Sequence, residues 1–215
     1  MGEIISALIP VLLHRIITFF TTVIWMQSAA MLHIPYDATL CTVIGNLLVI
    51  PVAIWLYRKD GSVLPVSDNS WTYTGKILFG VFCLVSGGIL NYLWSSALSM
   101  MRIQEIFSDQ VQTELLSANV AVQILGLGFI VPLSEELIFR GLSYRRMKRI
   151  FSVKTAIILS ALLFAVYHEN PIQIIFAFPL ALILAAVFEH GKLFIFPVLF
   201  HIGANLFAVF MNLFI

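Results

Sequence analysis

Apolar runs of roughly 17 to 25 residues, the length of a helix that crosses ~30 Å of hydrocarbon, recur along this chain with short polar breaks between them. Seven are marked out, approximately Ile4–Leu32, Ala38–Tyr57, Ile77–Leu98, Ala118–Phe139, Phe151–Tyr167, Pro171–Phe188 and Leu193–Ile215. The first is long and interrupted by His14-Arg15. The fifth is the weakest, closed by His168-Glu169-Asn170-Pro171, where proline and its predecessor disfavour helix continuation. The pattern predicts an all-α fold, a polytopic transmembrane helix bundle of about seven spans. Residues 1–117 form its N-terminal helices and loops, and residues 118–215 its core helices, within one integral membrane unit.

Composition agrees: 60% of the 215 residues are hydrophobic and 11% charged, with a mean hydropathy of +1.00, against about 25% charged in soluble domains. The net charge of +1 leaves no basic stripe for a nucleic acid. Cys41 and Cys83 sit inside apolar runs, as small hydrophobes rather than a disulfide. The first run lacks the basic n-region of a secretory signal and reads as a retained helix, already apolar enough to anchor itself without a lipid on Gly2. Gly87-Gly88 and Gly126/Gly128 read as close-packing points between helices.

Lysine and arginine set the orientation, because cytoplasmic loops carry their excess. Arg58, Lys59 and Lys76 flank the second loop, Arg145, Arg146, Lys148, Arg149 and Lys154 the fourth, and Lys192 the sixth. With seven spans these loops share one side, which puts the N-terminus inside and the C-terminus outside. Arg15 fits neither side and is expected to snorkel or to pair within the bundle. The run Arg145–Arg149 reads as a topology signal and a contact for anionic lipid.

Against this background, ionisable residues within the spans are costly, and function is the default reading for them. Pro132-Leu-Ser-Glu135-Glu136-Leu-Ile-Phe-Arg140 carries two adjacent carboxylates and an arginine; Phe164-Ala-Val-Tyr-His168 and His201-Ile-Gly-Ala-Asn205 carry two imidazoles and an amide. Counted from the basic loops at 1.5 Å per residue, Glu135, His201 and His168 lie roughly 15, 13 and 21 Å inward, so three helices bring polar groups to one layer. Residues four apart share a helical face. Glu136 and Arg140 are such a pair, and Arg140 neutralises Glu136. Glu135, about 100° around the helix, is free for another partner. His201 and Asn205 present an imidazole and an amide together, and Phe164 sets an apolar ring beside His168. His14, His33 and His190 read as structural, and Glu169 as a solvent-facing helix end.

A carboxylate in a partly dry site, with a histidine sharing its water, is suited to general-base work. An imidazole and an amide aimed at one point stabilise an oxyanion. Peptide-bond hydrolysis needs both. No Gly-x-Ser-x-Gly elbow and no cysteine near the motifs offers a covalent nucleophile. Zinc held by Glu135, His168 and His201 is the alternative chemistry, although no His-Glu-x-x-His helix is present and Asn205 is a poor ligand.

The ordered trio Glu135-Glu136-x-x-x-Arg140, Phe164-x-x-x-His168 and His201-x-x-x-Asn205 resembles the CPBP family, which groups type II CAAX prenyl endopeptidases with bacteriocin-processing and abortive-infection proteins. The resemblance covers roughly residues 118–215. It implies that Glu135 activates water with help from His168, that His201 and Asn205 form the oxyanion hole, and that Glu136 and Arg140 support them. The family is labelled both metalloprotease and metal-free glutamate protease; the residues favour the latter, with no cofactor.

The expected protein is thus an intramembrane endopeptidase in a prokaryotic plasma membrane. Its partners are the bilayer and a membrane-associated peptide, either a CAAX-type tail or a leader, entering laterally or from the cytoplasmic side. Two other classes compete. A proton- or ion-coupled transporter would use Glu135 and His168 as a relay, but only Pro179 interrupts a span and no paired counterpart or repeat accompanies it. A non-catalytic immunity or scaffold protein would keep the motifs without needing them.

Overall fold

The structure, a computed structural model, describes residues 2–60, 71–103, 114–116 and 118–214. Its described residues form helices and no strand. The helices are α1 (Gly2–Leu32), α2 (Ala38–Lys59), α3 (Tyr73–Met100), α4 (Val120–Met147), α5 (Val153–Tyr167), α6 (Pro171–Gly191) and α7 (Ile195–Phe214). Six are long and apolar enough to cross a membrane, all but α5. Exposed side chains such as Ile16, Phe19, Phe20, Leu78, Val81 and Phe82 turn outward toward lipid. The chain is a multi-pass membrane protein.

The fifth run departs from a full span. Its 15 residues rise only about 22 Å, short of the ~30 Å of hydrocarbon. The reason is local: Glu169 takes a left-handed backbone, φ 59°, and Asn170 caps α6 by accepting from the Ile172 N–H, with Pro171 in the first turn. The early stop leaves His168 at the C-cap of α5.

Helix α4 lies at the centre of the bundle. Its most apolar stretch is 67% buried, against 22% for that of α1. It also runs eight residues past the expected end at Phe139, through Met147. Two stretches, Gln123–Ile130 and Leu137–Tyr144, are wound in π register and flank the α-helical turns Val131–Glu136 that carry both glutamates. Such bulges are frequent at functional sites.

The longer α4 changes the reading of its basic end. Arg145 and Arg146 are in the helix and buried, not in a surface loop. Arg146 forks onto Asp60 at 2.6 and 3.0 Å and donates to the Ser6 carbonyl at 2.7 Å. Glu189 accepts from Tyr144, Lys148 and Lys192 at 2.6 to 2.9 Å. These bonds gather the N-terminus and the second, fourth and sixth loops on one face, as the charge pattern predicts.

Helices α3 and α7 run parallel, with contacts advancing in step from Phe79–Phe196 to Tyr92–Phe207. Their backbones meet where a methyl on Gly87 would overlap the Phe200 carbonyl and one on Gly203 the Leu84 carbonyl. A methyl on Gly126 would overlap Val43, and one on Gly128 would overlap Leu206.

Candidate active site

The three motifs converge. Glu136 Oε1 lies 3.0 Å from Arg140 Nη1 and 2.9 Å from His201 Nδ1, so one carboxylate oxygen ties α4 to α7. Glu136 and Arg140 are fully buried. Arg140 spends its second Nη on the Ala181 carbonyl at 3.2 Å, and its guanidinium lies 4.5 Å from the centre of the Phe164 ring. Phe164 in turn stands edge-on to His168 and His201, at 4.9 and 5.9 Å between ring centres. The phenylalanine is thus the hub on which the cation and both imidazoles are seated.

Glu135 points elsewhere, as its position on the helix requires. Its Oε2 lies 3.7 Å from His201 Nε2, too long for a hydrogen bond. His201 therefore stands between the two carboxylates, one on each ring nitrogen. Glu136 is consequently more than a partner for Arg140: it orients the imidazole.

His168 Nδ1 is 2.9 Å from the Phe164 carbonyl. A carbonyl only accepts, so Nδ1 carries a proton, and in the neutral ring Nε2 is a free acceptor. Glu135, Phe164, His168, His201 and Asn205 all line one cavity of about 1030 Å³. The sequence places Glu135 and His168 in one layer, and the structure brings them to this shared cavity without a direct bond between them.

Asn205 is anchored to α4. Its Nδ2 donates to the Leu127 carbonyl at 2.9 Å rather than standing wholly free beside His201. The cause is in α4. The Val131 N–H bonds to the Gly126 carbonyl, five residues back; the next donor in that register would bond Leu127, but residue 132 is proline and has no N–H. Asn205 supplies the missing donor, and its amide retains one hydrogen for the cavity. Replacing Asn205 with Ala strips this carbonyl of its partner, at a cost of about 1–3 kcal/mol for an unsatisfied buried group. The expected outcome is a lower thermal midpoint in detergent as well as lower activity; a purely catalytic amide would leave the midpoint unchanged.

Tyr167, His14 and Asn46 also stand beside this site, and sequence reasoning assigned them no part in it. His14 Nδ1 lies 2.5 Å from the Tyr167 hydroxyl and Nε2 3.1 Å from Asn46 Oδ1, so the buried histidine joins α1, α2 and α5. Arg15 pairs with Glu169 and lies over the Tyr167 ring at 5.4 Å, so it pairs at the end of α5 rather than snorkelling. The only available signal was the interruption of the first run by His14-Arg15. Among the described residues His190 bonds only its own helix, at the Ala186 carbonyl.

Among the described residues, no three His, Cys, Asp or Glu side chains are grouped to hold a metal ion. Glu135 and His201 approach each other, but His168 completes no triplet with them.

Residues 117–207 match the family model for type II CAAX prenyl endopeptidase, Rce1-like. This segment is an Rce1-like domain. All seven motif residues fall inside it, and the match upholds the CPBP resemblance of the three motifs. No curated protein and no solved structure matches the chain. The match over this segment supports a CAAX-type membrane endopeptidase rather than a transporter.

The cavity of the Rce1-like domain extends to Ser99, Met100, Leu116, Met211 and Asn212. These lie at the C-terminal ends of α3 and α7 and before α4, on the face opposite the basic loops. Entry laterally or from the basic side was the expectation, because the motifs were measured from those loops. The ion pairs of Arg146 with Asp60 and of Glu189 with Lys148 and Lys192 lie on the basic face, and none of these residues lines the cavity.

Proposed function

We propose that this Rce1-like protein hydrolyses a peptide bond of a membrane-associated, CAAX-type substrate, using water activated by Glu135. The observation that carries the reading is His201 held between Glu136 and Glu135, beside a sequestered arginine, in a cavity that also holds His168.

The mechanism uses Glu135 as a carboxylate and His201 with a hydrogen on each ring nitrogen, Nδ1–H toward Glu136 and Nε2–H toward the cavity. Water, hydrogen-bonded to Glu135 and to the free Nε2 of His168, attacks the scissile carbonyl carbon and gives its proton to Glu135. The carbonyl π pair moves to oxygen, and the His201 Nε2–H and the remaining Asn205 amide hydrogen donate to that oxyanion. Glu135 is now neutral and the oxyanion carries the charge. Collapse reforms the carbonyl, breaks the C–N bond and sends the Glu135 proton to the leaving amine.

The test is cleavage by the full chain in lipid nanodiscs, with a farnesylated peptide ending in Cys-aliphatic-aliphatic-X and its unprenylated counterpart. Release of the C-terminal fragment, unchanged after treatment with a strong chelator, is the expected result. Loss of cleavage under chelation with recovery on adding zinc would reverse the metal-free assignment. No cleavage of either peptide would send the substrate proposal toward leader peptides.

A further inference from the structure

The wall of the cavity opposite α6 carries a polar stripe outside the Rce1-like segment. On α3, Asn91, Ser95, Ser96 and Ser99 all line the same cavity as Glu135 and His201. The Gly87 and Gly203 contacts and the Tyr92–Phe207 ring contact at 5.7 Å fix the register, so Asn91 stands at the level of Asn205. From there the stripe leads away from the basic loops.

Hydroxyls in apolar helices commonly bond their own backbone. Thr18, Thr21, Thr22, Thr42 and Ser86 do so here. Ser96 and Ser99 differ: no hydrogen bond to either side chain occurs among the described residues. Ser95 donates to Asn91 Oδ1 at 3.3 Å, which leaves the hydrogens of the Asn91 amide for another acceptor. From α6 the cavity is lined by Ile172, Phe176, Ala177, Leu180 and Leu184, with Gln173 as the one polar residue of that helix.

We infer that this stripe of α3 is the substrate main-chain subsite: Asn91, Ser95, Ser96 and Ser99 hydrogen-bond the backbone of an extended peptide while its apolar groups lie against α6. The repeats agree. Positions four apart on a helix are about 6 Å apart, and alternate residues of an extended strand about 6.6 Å. Asn91 to Ser99 covers about 12 Å, or roughly four extended residues. Main-chain recognition makes the site tolerant of side-chain sequence and gives a helix outside the family segment a share in choosing the substrate. The inference rests on the peptidase reading, and binding to an inactive chain separates the two.

The experiment uses the full chain carrying Glu135→Gln in nanodiscs, with fluorescence anisotropy of a labelled farnesylated CAAX peptide. Adding Ser96→Ala and Ser99→Ala weakens peptide binding about tenfold, the loss of two hydrogen bonds, and leaves binding of farnesylcysteine methyl ester unchanged. Ser96→Thr with Ser99→Thr keeps the hydroxyls and restores peptide affinity. Equal losses for both ligands, unchanged peptide affinity, or no peptide binding by the Glu135→Gln chain would each overturn the inference. Peptide bound through the hydroxyls yet never cleaved by the unaltered chain would uphold it and sink the peptidase reading instead.

Discussion

Glu135→Gln lowers peptide cleavage by about 10³ to 10⁵-fold, with little change in peptide affinity. Two losses combine in this one substitution. The general base goes, a group that contributes about 10² to 10⁴-fold. The carboxylate facing the other reacting group goes too: Glu135 Oε2 lies 3.7 Å from His201 Nε2, and its loss weakens that ring as an oxyanion donor. A lost oxyanion donor costs about 10² to 10³-fold, and because the two groups act as a unit the losses do not simply multiply. Glu135→Asp keeps the charge but withdraws the carboxylate by about one bond. Misplacement of about 1 Å costs on the order of 10²-fold, so it retains more activity than the glutamine. Single-turnover rates from reconstituted protein check the order. A Glu135→Gln chain that cleaves at even a tenth of the normal rate would remove Glu135 from the chemistry.

Arg140→Met is expected to have the largest effect on stability. Arg140 and Glu136 are both fully buried, and removing one partner of such a pair costs about 3–5 kcal/mol because the other charge is left without compensation. For a chain of this size that is a fall of about 6–20 °C in the unfolding midpoint. The further substitution Glu136→Gln removes the stranded carboxylate and restores much of the stability, since replacing a whole buried pair by neutral groups is often close to neutral. It does not restore activity, because the Glu136 carboxylate that orients the His201 ring at 2.9 Å is gone. Thermal scans and cleavage assays on the single and double variants separate the two roles of Glu136. Recovery of activity in the double variant would show that the glutamate only locks the helices.

Much of the site was legible because a polar group in lipid needs a partner, and a helix fixes which partners lie nearby. Glu136 and Arg140, four apart, bond as that spacing predicts, and Glu135 is turned toward His201 instead. Depth was less legible, because counting inward from Arg145 starts from a loop at a point where α4 in fact continues to Met147. Neither Gly141 nor Ser143 stops the helix, and winding into π register is not written in residue type.

The sequence by itself determined an all-helical membrane chain, three polar motifs on separate spans and the family they resemble, because span length, hydropathy and four-residue spacing are properties of single helices. What passes between helices was decided only by tertiary structure. Glu136 bonds His201 across 65 positions of chain, and Asn205 satisfies the Leu127 carbonyl that Pro132 leaves without a donor. The seating of α3 on α7 through Gly87 and Gly203 then turns four scattered polar residues into one wall of the cavity. Such pairings depend on which faces meet and at what register, and packing sets both.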